Sequence, residues 1–241
     1  TTVTHTGSGK LTLDTAARAS TVTASGTGAL TFTAGAAVQS VTGSSGDDRF
    51  DFQATLAATD TIAGGEGTDT LVLLGTNTAL AATTKVSGIE TLEIDTENND
   101  NTIDFDNFGA TQAAAISTVN VDITAGSDNT NAHQVTLEDV QATTYGVTSP
   151  ALATADTIAA YTIDLEDSSG TDTAITLNLN TKQTATNPFE LTTVVAAGVE
   201  TISINADSVA ATANAADNIT IGTLTTAALK TLNISGDADF A

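Results

Sequence analysis

The chain has 241 residues, and six Lys and Arg against 29 Asp and Glu give a formal charge of −23 at pH 7. That length admits one large domain or two to three small ones at about 100 to 200 residues each, while a surface so acidic repels phosphate backbones and anionic leaflets, which argues against nucleic acid and membranes as partners. About one residue in five is Thr and hydrophobic residues make up 40%, but Cys, Met and Trp are absent, so disulfides and thiolate metal sites are excluded and the core falls to Ala, Val, Ile, Leu and seven Phe.

β-Branched side chains fit a pleated surface better than a helix, so the composition predicts an all-β fold. No window approaches about 18 consecutive apolar residues, and no membrane-spanning helix is expected. The opening Thr-Thr-Val-Thr-His is not a charged and then apolar leader, and there is no initiator Met. A mature or excised segment, or one exported without a cleaved N-terminal signal, is the expectation.

The first predicted elements form an internal repeat. GSGKLTLDTAARASTVTAS (7–25) aligns without gaps on GTGALTFTAGAAVQSVTGS (26–44), matching Leu11 with Leu30, Thr12 with Thr31, Val22 with Val41 and Thr23 with Thr42. A period near 19 carrying two short strands and two small-residue turns is the length of one coil of a parallel β-roll or β-helix. Next come GSSGDDRFD (Gly43–Asp51) and GGEGTDTLV (Gly64–Val72). The second fits G-G-x-G-x-D-x-U-x at every defined position, U being a large apolar residue, and the first fits with Ser44 in place of a glycine. Their first glycines are 21 residues apart where two nine-residue half-coils give about 18, so surplus residues are expected to bulge within Gln53–Thr59.

A division near residue 75 separates this region, 1–75, from a remainder, 76–241, read as continuing solenoid or as a separate all-β domain. A second recurring unit marks that remainder: IETLEI (Ile89–Ile94), ISTVNV (Ile116–Val121), VETISI (Val199–Ile204) and LKTLNI (Leu229–Ile234). Each alternates in its last four residues, which places pairs such as Leu92 and Ile94 on one face of a strand. YTIDLED (Tyr161–Asp167) and AITLNLN (Ala174–Asn180), flanking Ser168–Gly170, read as a β-hairpin. The acidic, Asn-rich stretch 95–107 is expected to be a loop or another ion-binding turn, and 141–155 and 210–217 to be loops or short helical insertions.

The glycine and aspartate turns carry the candidate chemistry. Glycine takes the positive φ of a tight turn and exposes carbonyls, the Asp supplies a carboxylate, and the apolar residue plugs the core. Two turns one coil apart lie about 4.8 Å from each other, so Asp48 and Asp69 would repel unless a cation sat between them. The expected metal set is Asp48 and Asp69, with carbonyls of Gly43, Ser45, Gly64 and Glu66 and the nearby acids Asp47 and Asp60. Hard oxygen ligands select Ca²⁺. Asp100, Asp104 and Asp106, then Asp164, Glu166, Asp167 and Asp172, then Asp237 and Asp239, are further acidic groups for calcium or solvent.

GDDRFDF (Gly46–Phe52), TDTIAGGEGTDTLVL (Thr59–Leu73) and VSGIETLEI (Val86–Ile94) resemble the RTX-type, calcium-binding surface-layer proteins of Gram-negative bacteria. The strong likeness covers residues 43–94, with two nonapeptides in place of a long array. The resemblance implies a chain that is secreted through a type I channel, folds on meeting external calcium, and assembles with itself into an extracellular lattice on the cell surface, anchored to lipopolysaccharide.

Catalysis finds little in the sequence. His5 and His133 belong to no ligand spacing, and neither a G-x-S-x-G elbow nor a Walker-type loop occurs. No enzyme is expected. The other readings are an adhesin or ice-binding module, which regular T-x-T ranks on one exposed face would favour, and the non-catalytic calcium domain of a larger secreted hydrolase.

Overall fold

A computed structural model describes residues 1–15, 18–74, 85–96, 100–123, 133–149, 156–166, 173–181, 189–208 and 218–240. Its strands begin with β1 (Thr2–His5), β2 (Leu11–Asp14), β3 (Ser20–Ala24), β4 (Leu30–Thr33), β5 (Gln39–Thr42), β6 (Arg49–Gln53) and β7 (Thr61–Ala63). They continue with β8 (Thr70–Leu74), β9 (Lys85–Ser87), β10 (Thr91–Asp95), β11 (Asn101–Asp104), β12 (Thr118–Asp122), β13 (His133–Val140) and β14 (Thr144–Ser149). The last are β15 (Asp156–Leu165), β16 (Ala174–Thr181), β17 (Phe189–Ala196), β18 (Thr201–Ser208), β19 (Asn218–Thr225), β20 (Thr231–Ser235) and β21 (Asp239–Phe240). A 3₁₀ turn, Phe105–Phe108, and a short helix α1, Ala110–Ala115, stand between β11 and β12.

Every described strand pairing is parallel, and each joins strands two apart in sequence. The even-numbered strands form one ten-stranded sheet from β2 to β20, and the odd-numbered ones form a five-stranded sheet, β1 to β9, and a six-stranded sheet, β11 to β21. One coil is therefore two strands and two corners, the arrangement of a parallel β-solenoid. The ten-stranded sheet runs on across residue 75. The 19-residue alignment becomes strand register: Leu11 pairs with Leu30, Thr12 with Thr31, Val22 with Val41 and Thr23 with Thr42.

The core is a set of apolar columns along the axis. Leu13, Phe32, Phe50, Leu71, Leu92, Val119, Tyr145, Leu177, Ile204 and Ile234 occupy successive rungs of one column. Those from Phe32 to Ile204 are buried, each contributing about 1.5–3 kcal/mol by leaving water. Outward positions beside them include Asp51, Glu93, Asn120, Asn178 and Asn205, because successive side chains of a strand point to opposite faces; Val72, which is buried, is an apolar exception.

Register also locates the surplus residues. Thr31 pairs with Arg49 and Arg49 with Thr70; the extra length of the second step begins at a register shift between Asp51 and Gln53, whose φ is 46°, and continues in turns closed by Thr55 N–H to Phe52 C=O and Asp60 N–H to Ala57 C=O.

Three expectations are corrected. Tyr161–Leu165 and Ala174–Asn180 form no hairpin: β15 pairs with β13 and β17, and β16 with β14 and β18. Alternation has the same period in a coil as in a hairpin, so it did not separate them. The stretch 95–107 holds β11, whose Asn101 and Ile103 face inward, and 141–155 holds β14, which buries Tyr145 and Val147. Residues 210–217 lie outside the described residues.

The two corners are unlike. From β5 to β10 the corner entering the ten-stranded sheet is built on the compact segments Gly43–Asp48, Gly64–Asp69 and Gly88–Glu90. The corner leaving that sheet takes up longer connections, between Leu74 and Lys85, Asp122 and His133, Thr181 and Phe189, and Ser208 and Asn218.

Candidate metal centre

The compact corner stacks Asp48, Asp69 and Glu90 on successive rungs, since each immediately precedes one of the paired residues Arg49, Thr70 and Thr91. Asp48 and Asp69 are almost wholly buried, 2% and 0% exposed, which is rare for carboxylates without partners. Their partners are main-chain amides of the preceding coil. Asp48 Oδ1 accepts the Leu30 N–H at 2.6 Å, Asp69 Oδ1 accepts the Asp48 N–H at 2.8 Å, and Glu90 Oε2 accepts the Asp69 N–H at 2.9 Å. Each acid thus closes the turn one coil back.

The second oxygens differ. Asp48 Oδ2 accepts the Ser44 N–H within its own turn, and Ser44 Oγ donates to Asp48 Oδ1 at 2.9 Å. Asp69 Oδ2 is buried with no donor among the described residues. The difference lies in the backbone: Gly65, standing where Ser44 does, keeps an N–H but adopts φ 119°, and it also lacks the hydroxyl that Ser44 gives to Asp48 Oδ1. Burial pushes the Asp69 carboxyl up to about 7, opposed by the Asp48 N–H and reinforced by the charges of Asp48, Glu90 and Asp47.

Glycine makes room for these oxygens. A Cβ on Gly64 would lie 1.7 Å from the Gly88 carbonyl oxygen and 2.3 Å from Asp69 Oδ2; on Gly43 it would lie 2.0 Å from the Gly64 carbonyl oxygen and 2.3 Å from Asp48 Oδ2. At each position a carbonyl and a carboxylate oxygen crowd one space, and at Gly64 no hydrogen-bond donor meets that carboxylate oxygen. The donor set is oxygen only, the chemistry that suits Ca²⁺ with its flexible geometry and 6–8 ligands. Asp69, the Gly64 and Gly88 carbonyls and Asp48 are the residues that would hold such an ion.

The remaining expected ligands are placed as follows. Ser45 is exposed and bonds through its N–H to the Gly26 carbonyl at 3.0 Å. Asp47 is exposed and accepts the Thr68 N–H at 2.8 Å. Glu66 is exposed on the loop. Asp60 lies apart from the column, at the opposite corner: it precedes β7, accepts the Gln39 and Ala57 N–H groups at 2.8 and 2.9 Å, and continues a buried polar row with Ser20 and Gln39.

Gly88 and Glu90 were missed as members of the column. Their signal is in VSGIE, where a glycine and an acid survive in a shortened turn. A second acidic group, Asp104, Asp106 and Asp139, brings carboxylate oxygens within 4.8 Å of one another. Asp139 was also missed; it enters from β13 at φ 57° beside a register shift. Burial, then the charges of Asp106, Asp104, Asp164 and Glu166, raise its carboxyl above the ordinary range. Asp100 Oδ1 accepts the Gln134 N–H, Glu166 accepts from the Gln141 side chain, and Asp237 Oδ1 accepts the Ser208 N–H. Asp167 and Asp172 lie outside the described residues.

No protein-family model matches this chain, and no curated protein or solved structure matches it significantly.

Proposed function

We propose that this chain is a calcium-stabilised structural protein whose work is assembly with copies of itself and not catalysis. The observation that carries the reading is the buried Asp69 Oδ2, without a donor, beside the Gly88 carbonyl in a column of acids. A cation there would neutralise Asp69 against Asp48 and Glu90 and lock successive coils, so that metal binding and folding are one event. The nonapeptides and their likeness to RTX-type surface-layer proteins extend the reading to a secreted component of an extracellular layer on the cell surface, held on lipopolysaccharide through a region still to be located. At millimolar external calcium even sites of Kd about 10⁻⁴ to 10⁻³ M would be occupied.

Size-exclusion chromatography with light scattering, first in chelator and then in millimolar Ca²⁺, tests it. Compaction followed by entry into large assemblies is the expected result. Compaction to a stable monomer would instead favour a module of an adhesin or of a secreted hydrolase, and no change in size or mass would sink the calcium mechanism.

One observation favours a second reading as an ice-binding or adhesive module. On the outward face of the five-stranded sheet, Thr2 with Thr4, Thr21 with Thr23 and Ser40 with Thr42 form in-register T-x-T-like ranks. All but Ser40, which is half-buried, are exposed. Thermal hysteresis in freezing solution, abolished by Thr21→Tyr, is its test.

A further inference from the structure

The five-stranded sheet stops at β9, and among the described residues no strand follows it there. Helix α1 comes instead, and its Gln112, only 4% exposed, turns its side-chain amide onto the main chain of Ile89. Gln112 Nε2 donates to the Ile89 carbonyl at 2.7 Å, and Gln112 Oε1 accepts the Ile89 N–H in a longer contact of 3.4 Å. A side-chain amide thus occupies the bonding positions that a next-coil peptide group would fill. Ile89 directly precedes Glu90, the acid that accepts the Asp69 N–H, and Asp69 in turn accepts the Asp48 N–H.

We infer that Gln112 is a positioning residue for the carboxylate column, fixing the Glu90 backbone and through it the Asp69 turn. The inference rests on the reading of that column as a calcium site only for its effect on affinity; the mechanical link from Gln112 to Asp69 stands without metal. The physical reason is that Glu90 holds the Asp69 amide from a main chain that itself donates to the Asp69 carbonyl at 3.2 Å and accepts the Ser117 and Thr118 N–H groups at 3.0 and 3.2 Å, and Gln112 adds a further hold at the residue before it, Ile89. One side chain on an inserted helix then governs a turn that it does not touch.

Residue-resolved amide exchange on the full chain in chelator, followed by CaCl₂ titration, tests this. In Gln112→Ala, the Ile89 and Asp69 amides should exchange at least about tenfold faster, as expected for loss of a buried hydrogen bond, while Val147 and Leu177 keep their protection. The calcium midpoint should rise by about the same factor. Thr111→Gly, on the exposed side of α1, weakens the helix without touching the clasp and should leave Asp69 unmoved. An Asp69 amide unaffected by Gln112→Ala, or accelerated equally by Thr111→Gly, overturns the inference. If Gln112→Ala does not fold, Gln112→Met, which keeps the bulk and removes both amide bonds without adding charge, takes its place, and the same criteria apply. A wild-type chain that binds no calcium removes the site reading, while the exchange data in chelator still decide the role of Gln112.

Discussion

Asp69 Oδ1 accepts the main-chain N–H of Asp48 at 2.8 Å, so a residue of one coil completes the turn of the coil before it. Asp69→Ala should leave that N–H buried without an acceptor, costing about 1–3 kcal/mol, and should lower calcium affinity as well. Thermal melts with and without calcium check both effects, and unchanged calcium-dependent melting in the variant would remove Asp69 from the site.

The pH response of the metal-free chain has a defined sign. The Asp69 carboxyl stands at about 7 in the fold against an ordinary value of 3.8, so between those values the folded state binds a proton that the unfolded chain has released. Stability in chelator should therefore fall as pH rises from about 4 to about 7 and level off above. Asp69→Asn should flatten this dependence. Saturating calcium should reverse it, because the ionised, metal-bound carboxylate is then the form lost on acidification.

Gly64 and Gly9 separate crowding from mere turn preference. Nothing lies within 4 Å of a Cβ on Gly9, whereas one on Gly64 would strike the Gly88 carbonyl and Asp69. Gly9→Ala should be nearly neutral, and Gly64→Ala should cost about 1–3 kcal/mol or more, read from denaturant midpoints in chelator. Because the new methyl group fills the space between the two oxygens, Gly64→Ala should also weaken calcium binding.

Arg49 on β6 meets Glu93 on β10 through two bonds of 2.6 Å, spanning the intervening strand β8. Its bonds to Glu93 raise the guanidinium above its ordinary value against the opposing effect of burial, and the charges of Glu93, Asp51 and Asp122 add to the rise. The pair is partly exposed, so Arg49→Met should cost only about 0.5–1 kcal/mol, diminishing at high salt. Phe50→Ala, one residue on and fully buried, should cost about 3–5 kcal/mol. Urea titrations at low and high salt distinguish the two.

The solenoid was legible where one coil repeats the next closely enough for residues to match by eye, as Leu11 with Leu30. It was illegible where only alternation remained, since β15 and β16 alternate like any strands and nothing in period two says whether the neighbour is parallel. Asp48 and Asp69 were found because the nonapeptide fixes their place relative to glycine. Gly88 and Glu90 escaped because their turn is shortened, and Asp60 was grouped with the column although it lies at the opposite corner. Gln112 left no trace: a side chain bonding to the main chain of Ile89 follows no periodic rule.

The unlike corners divide the molecule into a part that must stay constant and a part free to vary. A residue added within Gly64–Asp69 would disturb the oxygens stacked at Gly43, Gly64 and Gly88, whereas one added between Leu74 and Lys85, or between Asp122 and His133, changes only the path between sheets. Around the carboxylate column, divergence or a grafted epitope can thus accumulate along the opposite edge while the cross-section is inherited unchanged; beyond it the other edge too accepts an insertion, the 3₁₀ turn and α1 between β11 and β12.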